Sequence, residues 1–155
     1  MKTIDTILQI RLGDEFFGID SDDSNQILRV PIITSIPLTH RCLNGIVVLN
    51  GKIVPVLDLK TVLGIGSVDI TQDTSRIITL NIEDDEIAIL VDEVVDALNM
   101  DESKYEENIS QDSASVGFYK HNKELIQIIE PKNIIKKDMI ESFSPVSVDK
   151  LSNEN

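Results

Sequence analysis

A chain of 155 residues with 41% apolar content has enough hydrophobic material for one globular domain with a real core, and is not expected to be disordered. Its 27 acidic against 14 basic side chains give a net charge of −13, which argues against nucleic-acid backbones and anionic lipid as partners and favours basic protein surfaces. The lone cysteine, Cys42, excludes an internal disulfide and a thiolate metal cluster; it fits a reducing cytoplasm, and a buried small hydrophobe is its expected role.

The first residues, MKTIDTILQIRLGDE, interrupt their apolar run with acids and Arg11, so neither a signal peptide nor a membrane span is expected there. Residues 6–12 alternate imperfectly, and after Gly13-Asp14-Glu15 the run Phe16-Phe17-Gly18-Ile19 completes a strand, turn and strand. Residues 21–29 open with capping residues and early acids and close on Arg29 before Pro31, which predicts a short helix or helical turn. A strand is expected over 32–36, ended by Pro37.

The strongest local signal is LNGIVVLNGKIVPVLDLKTVL, residues 43–63. Two aliphatic runs flank Asn50-Gly51, the pair best suited to a type I′ turn with positive φ at both central positions. Pro55 has no ladder donor, so its strand is expected to face an edge or to carry a bulge there. Residues 58–64 read as one helical turn stopped by Gly64. Residues 64–75 are a polar surface loop, and the chain then begins again: 76–82, an acidic turn at 83–85 and 86–92 repeat the opening strand, turn and strand. This similarity of 6–20 to 76–92 suggests two related sub-barrels.

Eleven acids lie from Glu83 to Glu107, with Lys104 the only base among them, so the second half holds most of the negative field. A polar loop is expected over 101–114, then a third hairpin of 115–119 and 124–129 turning at His121-Asn122. Pro131 suits the first turn of a helix over 132–143, with Ile134, Ile135, Met139 and Ile140 on a 3.6-residue stripe. The tail 144–155 has no periodicity and is expected to be mobile. Short strands at regular spacing with few helices imply an all-β barrel architecture.

Catalytic chemistry is thinly represented. His40 and Cys42 would share a strand face and could be read as a Cys-His pair or half a metal site, but His121 is the only other histidine. The acidic turn 83–86 lacks the spaced ligands and glycine of a calcium loop, and Gly64-Ile65-Gly66 lacks the third glycine of a dinucleotide fingerprint. There are no tryptophans and few aromatics on which bases could stack. A rival of another class is a metal-assisted hydrolase using carboxylates of 83–96 or His40. What remains favoured is a β scaffold whose edges and loops meet other proteins.

Together, LGDEFFGID, NQILRVPIITSIPLTH, GIVVLNGKIVPVLDLKTVLG, RIITLNIEDDEIAILVDEV and GFYKHNKELIQIIEPKNII resemble the CheW-like domain family of bacterial chemotaxis, in order and spacing over roughly 6–135. The resemblance implies a mainly β fold of two five-stranded SH3-like barrels with short helices and a C-terminal helix. It implies one domain over 1–143, divided into sub-barrels near 16–75 and 76–130 with the N-terminal strand free to cross between them, and a tail at 144–155. It also implies a cytoplasmic, non-enzymatic adaptor without cofactor or metal, linking chemoreceptor tips to the regulatory domain of a CheA-type kinase, with no membrane insertion. The receptor groove maps to Ser24, Gln26 and Asn50. At these places relatives typically carry a valine, a glutamate and the arginine of an LRG tripeptide, so a charged pair is replaced by two neutral amides. The replacement leaves two alternatives: different receptor contacts, or loss of receptor coupling with docking on kinase or CheW-type partners retained.

Overall fold

The computed structural model describes residues 3–110 and 113–141. The β-branched runs form β1 (Thr6–Leu12), β2 (Glu15–Asp20), β3 (Ser24–Arg29), β4 (Leu43–Leu49), β5 (Lys52–Asp58) and β6 (Arg76–Ile82). They continue as β7 (Asp85–Val91), β8 (Glu93–Asn99), β9 (Tyr105–Glu107), β10 (Ser115–His121) and β11 (Glu124–Ile129). Among the described residues, helix is confined to α1 (Leu59–Val62), α2 (Pro131–Ile134), α3 (Lys137–Glu141) and two single 3-10 turns.

The hairpin β4–β5 turns at Asn50 and Gly51 with φ of 51° and 78°, the positive pair that a type I′ turn demands. Pro55 sits opposite Ile46, whose own N–H and C=O are both taken by Thr34 at 2.9 Å. The Ile46–Pro55 pair is therefore one in which neither residue exchanges ladder bonds across the hairpin, and no donor is missed on that side. On the other side, the parallel pairing of β5 with β7 begins only at Val56. The hairpin's bulge lies at Asn44 instead of Pro55.

Two mixed sheets result: six strands in the order β8-β1-β2-β11-β10-β9, and five in the order β3-β6-β7-β5-β4. Each contains one parallel pair, β2 with β11 and β5 with β7. The strand that follows each opening hairpin leaves it for the other sheet. Thus β3 follows β2 but pairs with β6, and β8 follows β7 but pairs with β1.

Three apolar clusters follow from this exchange. A central one joins the sheets through Leu8, Ile10, Phe17 and Ile19 on one side and Ile78, Leu80, Ile87 and Ile89 on the other. The five-stranded sheet has its own interior of Val47, Val54, Val56, Ile77, Ala88 and Leu90, and the six-stranded sheet one of Ile7, Tyr119, Ile126 and Ile128. Because β7 feeds the central cluster with Ile87, Ile89 and Val91 and its own sheet with Ala88 and Leu90, both its faces are buried and its apolar run is continuous.

The two sheets are built alike. Residues 6–30 map onto 76–100 and 43–63 onto 115–135, and the irregularities recur at matching places. Asn25 and Val95 are the unpaired bulge residues of β3 and β8, and Asn44 and Val116 those of β4 and β10.

Several expectations are corrected. A division into 16–75 and 76–130 would cut the five-stranded sheet, because 76–91 pair with β3 and β5 while 6–20 pair with strands of 93–129. The crossing strands and the parallel pairs override chain proximity. The sheets are not equal in strand number, since Tyr105–Glu107, expected as loop, adds a sixth strand beside β10. Its counterpart is the expected strand at 32–36, reduced between Pro31 and Pro37 to one bridge from Thr34 to Ile46.

Only Ser21–Asp23 of the expected helix at 21–29 is helical, because Ser24–Arg29 is drawn into pairing with β6. The third hairpin turns one residue later than expected, at Asn122-Lys123. The expected C-terminal helix is broken at Ile135, which takes an extended conformation and is buried in the central cluster. Phe143 and the tail lie outside the described residues.

Candidate functional site

Ser24 and Gln26 lie on β3 and Asn50 at the tip of β4–β5, so all three belong to the five-stranded sheet, at strands that end its order on opposite sides. Leu28 of β3 and Leu49 of β4 nonetheless pack on one interior, as the sheet curls round it. Ser24 is half-buried and donates its hydroxyl to Ser21 O at 2.7 Å. Gln26 and Asn50 are exposed; the Gln26 N–H donates to Thr79 Oγ1 at 3.0 Å, beside the bulge at Asn25. Among the described residues, no hydrogen bond or ion pair joins Asn50 to Ser24 or Gln26.

The surroundings of these residues were not singled out by sequence reasoning. Two residues from the Thr34–Ile46 bridge in either direction, Ile32 and Val48 are 92% and 68% exposed, and Ile27 on β3 is exposed as well. From Ser24 to Leu57 there is no acidic residue, whereas Arg29, Arg41 and Lys52 are present in a chain of charge −13. That local reversal of charge is a signal readable in the sequence. Ile32 and Val48 form an exposed apolar edge beside the Thr34–Ile46 bridge, in a stretch whose charges are all basic, a composition suited to a protein partner.

The other candidate groups do not assemble a reactive centre. His40 Nδ1 accepts the Cys42 backbone N–H at 3.1 Å, and its Nε2 faces Asp138 Oδ2 at 3.6 Å, so the ring is engaged with the backbone instead of the thiol. Burial pushes the Cys42 thiol up in pKa, more than Arg41 lowers it. The acidic turn is a hairpin tip with Glu83 at φ 56°, and among the described residues no group of three or more His, Cys, Asp or Glu could hold a metal ion.

The most organised polar cluster centres instead on Asp92, 2% exposed, where the chain crosses from β7 to β8. Its Oδ2 accepts from Gly13 N at 2.7 Å and pairs with Lys60 Nζ at 3.2 Å, while Oδ1 accepts from Gln72 Nε2 at 3.0 Å. Burial alone would raise its pKa, but the hydrogen bonds from Gly13, Gln72 and Lys60, with the Lys60 charge, outweigh burial and hold the carboxyl below its usual range. This clasp ties the β1–β2 turn to α1 and the 64–75 loop. Asp58 supports the same corner, accepting from Lys60 N, Thr61 N and Val68 N.

The chain as a whole has known counterparts. A sequence model described as the CheW-like domain matches residues 6–139. The chain belongs to the CheW-like domain family. It is 27% identical over 134 residues to the chemotaxis protein CheW of Thermotoga maritima, spanning 84% of this chain and 87% of that one. It is 25% identical over 150 residues to the chemotaxis protein CheW of Bacillus subtilis, spanning 94% and 96%. In structure it is similar to the scaffolding protein TtCheW of Thermoanaerobacter tengcongensis, with a TM-score of 0.76 and 28% identity over 90% of this chain and 92% of that one. Membership accounts for the mainly β architecture of two mixed sheets with few short helices, as expected of two SH3-like β domains. Among the described residues, no helix is long and apolar enough to cross a membrane.

Proposed function

We propose that this CheW-like chain is a non-enzymatic adaptor of chemotaxis-type signalling that couples chemoreceptor tips to the regulatory domain of a CheA-type kinase in the cytoplasm, with residues 1–143 acting as one unit. The observation that carries the reading is similarity, over most of both chains, to chemotaxis CheW proteins and to a CheW scaffold structure. The apolar edge with its basic residues supports it, because such an edge suits protein docking. Ser24, Gln26 and Asn50 are the receptor-contacting positions in this reading. The test is a pull-down at ordinary salt with a CheA-type regulatory domain, followed by receptor–kinase reconstitution. Saturable capture and receptor-dependent kinase control are expected, and absence of capture by any such domain or CheW homologue would sink the reading.

A second reading is favoured by one observation: Gln26 and Asn50 are exposed neutral amides where the family resemblance implies a charged pair. In this reading the protein docks on kinase or CheW-type partners without coupling receptors. Reconstitution separates the two, since the second predicts kinase capture with no activation.

A further inference from the structure

A cleft of about 540 Å³ lies between the β6–β7 turn and the α2–α3 segment, within the size range of ligand sites. Ile82, Ile135 and Ile140, which pack on the central cluster, give it an apolar base. Its charges are sorted by wall. The hairpin side supplies Glu83 and Asp85, while the helical side supplies Lys132, Lys136 and Lys137, with Glu141 at the end of α3. Lys136 donates to Asn133 O at 3.0 Å; among the described residues, neither Lys132 nor Lys137 makes an ion pair.

The duplication of the fold identifies what belongs in such a place. Glu83 corresponds to Gly13 and Lys132 to Lys60, so the cleft occupies in one half the position that the Asp92 clasp occupies in the other. There, a turn N–H and a lysine ammonium converge on one carboxylate oxygen, at 2.7 and 3.2 Å. In the cleft no carboxylate takes that position among the described residues. The residue corresponding to Asp92 is Asp22, which is exposed in the 3-10 turn after β2 and does not line the cleft.

We infer that this cleft is a docking site for a peptide segment of a partner protein, one in which an apolar stretch lies between a basic and an acidic residue. The acidic residue takes the place of Asp92, against Lys132 with Lys137 beside it. The apolar stretch covers Ile82, Ile135 and Ile140, and the basic residue meets Glu83 and Asp85. A uniformly acidic segment is disfavoured by the hairpin wall, and a uniformly basic one by the three lysines. The inference stands on the cleft and the internal comparison, and does not depend on the adaptor reading.

The experiment titrates the full chain, labelled with nitrogen-15, with the peptide acetyl-Lys-Leu-Leu-Glu-amide and follows backbone amide resonances. Saturable shifts confined to 81–85 and 132–141 are expected. Lys132→Glu, at an exposed position and so not expected to disturb folding, should weaken binding about fivefold, and a peptide ending in Lys instead of Glu should recover it on that variant. Absence of saturable shifts, shifts centred elsewhere, or an affinity indifferent to charge reversal on both sides would each overturn the inference.

Discussion

The five-stranded and six-stranded sheets share the order of five strands, parallel pairing and the positions of their bulges, yet they differ in the charge of their exposed faces and in the closure of one corner. Residues 24–57, which supply three strands of the first sheet, have no acid, whereas the corresponding part of the second includes Asp96, Glu106, Glu107 and Glu124. One corner is closed by Asp92, Lys60 and Gln72; the equivalent corner is an open cleft. Backbone pairing is thus common to both halves because register is set by the buried faces, while charge on the exposed faces is free to diverge.

The largest effect should come from the bulge glycines. A Cβ on Gly45 would run into the backbone carbonyl of Thr34, at a φ of 158°, whereas a Cβ on Gly117 would meet the ring of Tyr105. A carbonyl held by the Thr34–Ile46 bridge cannot withdraw without losing the bridge, but a half-buried tyrosine can swing outward. Gly45→Ala should therefore cost about 3–5 kcal/mol and Gly117→Ala about 1–3 kcal/mol in urea unfolding. Equal costs would mean that the two edges yield alike.

Next in size is the clasp. Asp92→Asn keeps an acceptor for Gly13 but removes the charge opposite Lys60, and should cost about 1–3 kcal/mol. The same change at the exposed counterpart, Asp22→Asn, should stay within about 0.5 kcal/mol. The folded-state pKa of Asp92 is depressed, so its stabilisation is present at neutral pH. It should be lost as pH falls through about 4 and then through the folded value. Thermal unfolding from pH 7 to 3 should show that acid component in the parent and not in Asp92→Asn; its persistence in the variant would assign it to other carboxylates.

The hairpins were legible because alternation and turn chemistry are local, as at Asn50-Gly51. The exchange of β3 and β8 between sheets was not, because it depends on pairing across long sequence separations, and nothing in Ser24–Arg29 names Arg76–Ile82 as its partner. The repeat could be recognised at 6–20 and 76–92 but not at 43–63 and 115–135, which share only glycine at 45 and 117, asparagine at 50 and 122, and lysine at 60 and 132. Of the site, Ser24, Gln26 and Asn50 were reached only through the family resemblance, and the acid-free run around them was present in the sequence but not singled out. Asp92 could only be counted with the acids of its neighbourhood, since its burial is set by Gly13, Lys60 and Gln72, all distant in sequence.

The smallest effect tests the proposed receptor-facing role of the five-stranded sheet against its twin. Gln26 and Asn50 correspond to Asp96 and Asn122, so a glutamate and arginine can be placed at matching positions of either sheet, with the same positive-φ strain where arginine replaces asparagine. Gln26→Glu with Asn50→Arg restores the glutamate and arginine of the family resemblance, and an exposed pair contributes at most about 1 kcal/mol. Affinity for a chemoreceptor tip fragment should rise about fivefold. Asp96→Glu with Asn122→Arg should leave it unchanged, although Asn122 also sits at a hairpin tip with positive φ. Calorimetric titration of both double variants decides the matter. A gain on the five-stranded sheet alone ties receptor contact to Gln26 and Asn50, whereas equal responses would make it a general consequence of added charge and place the receptor contacts elsewhere.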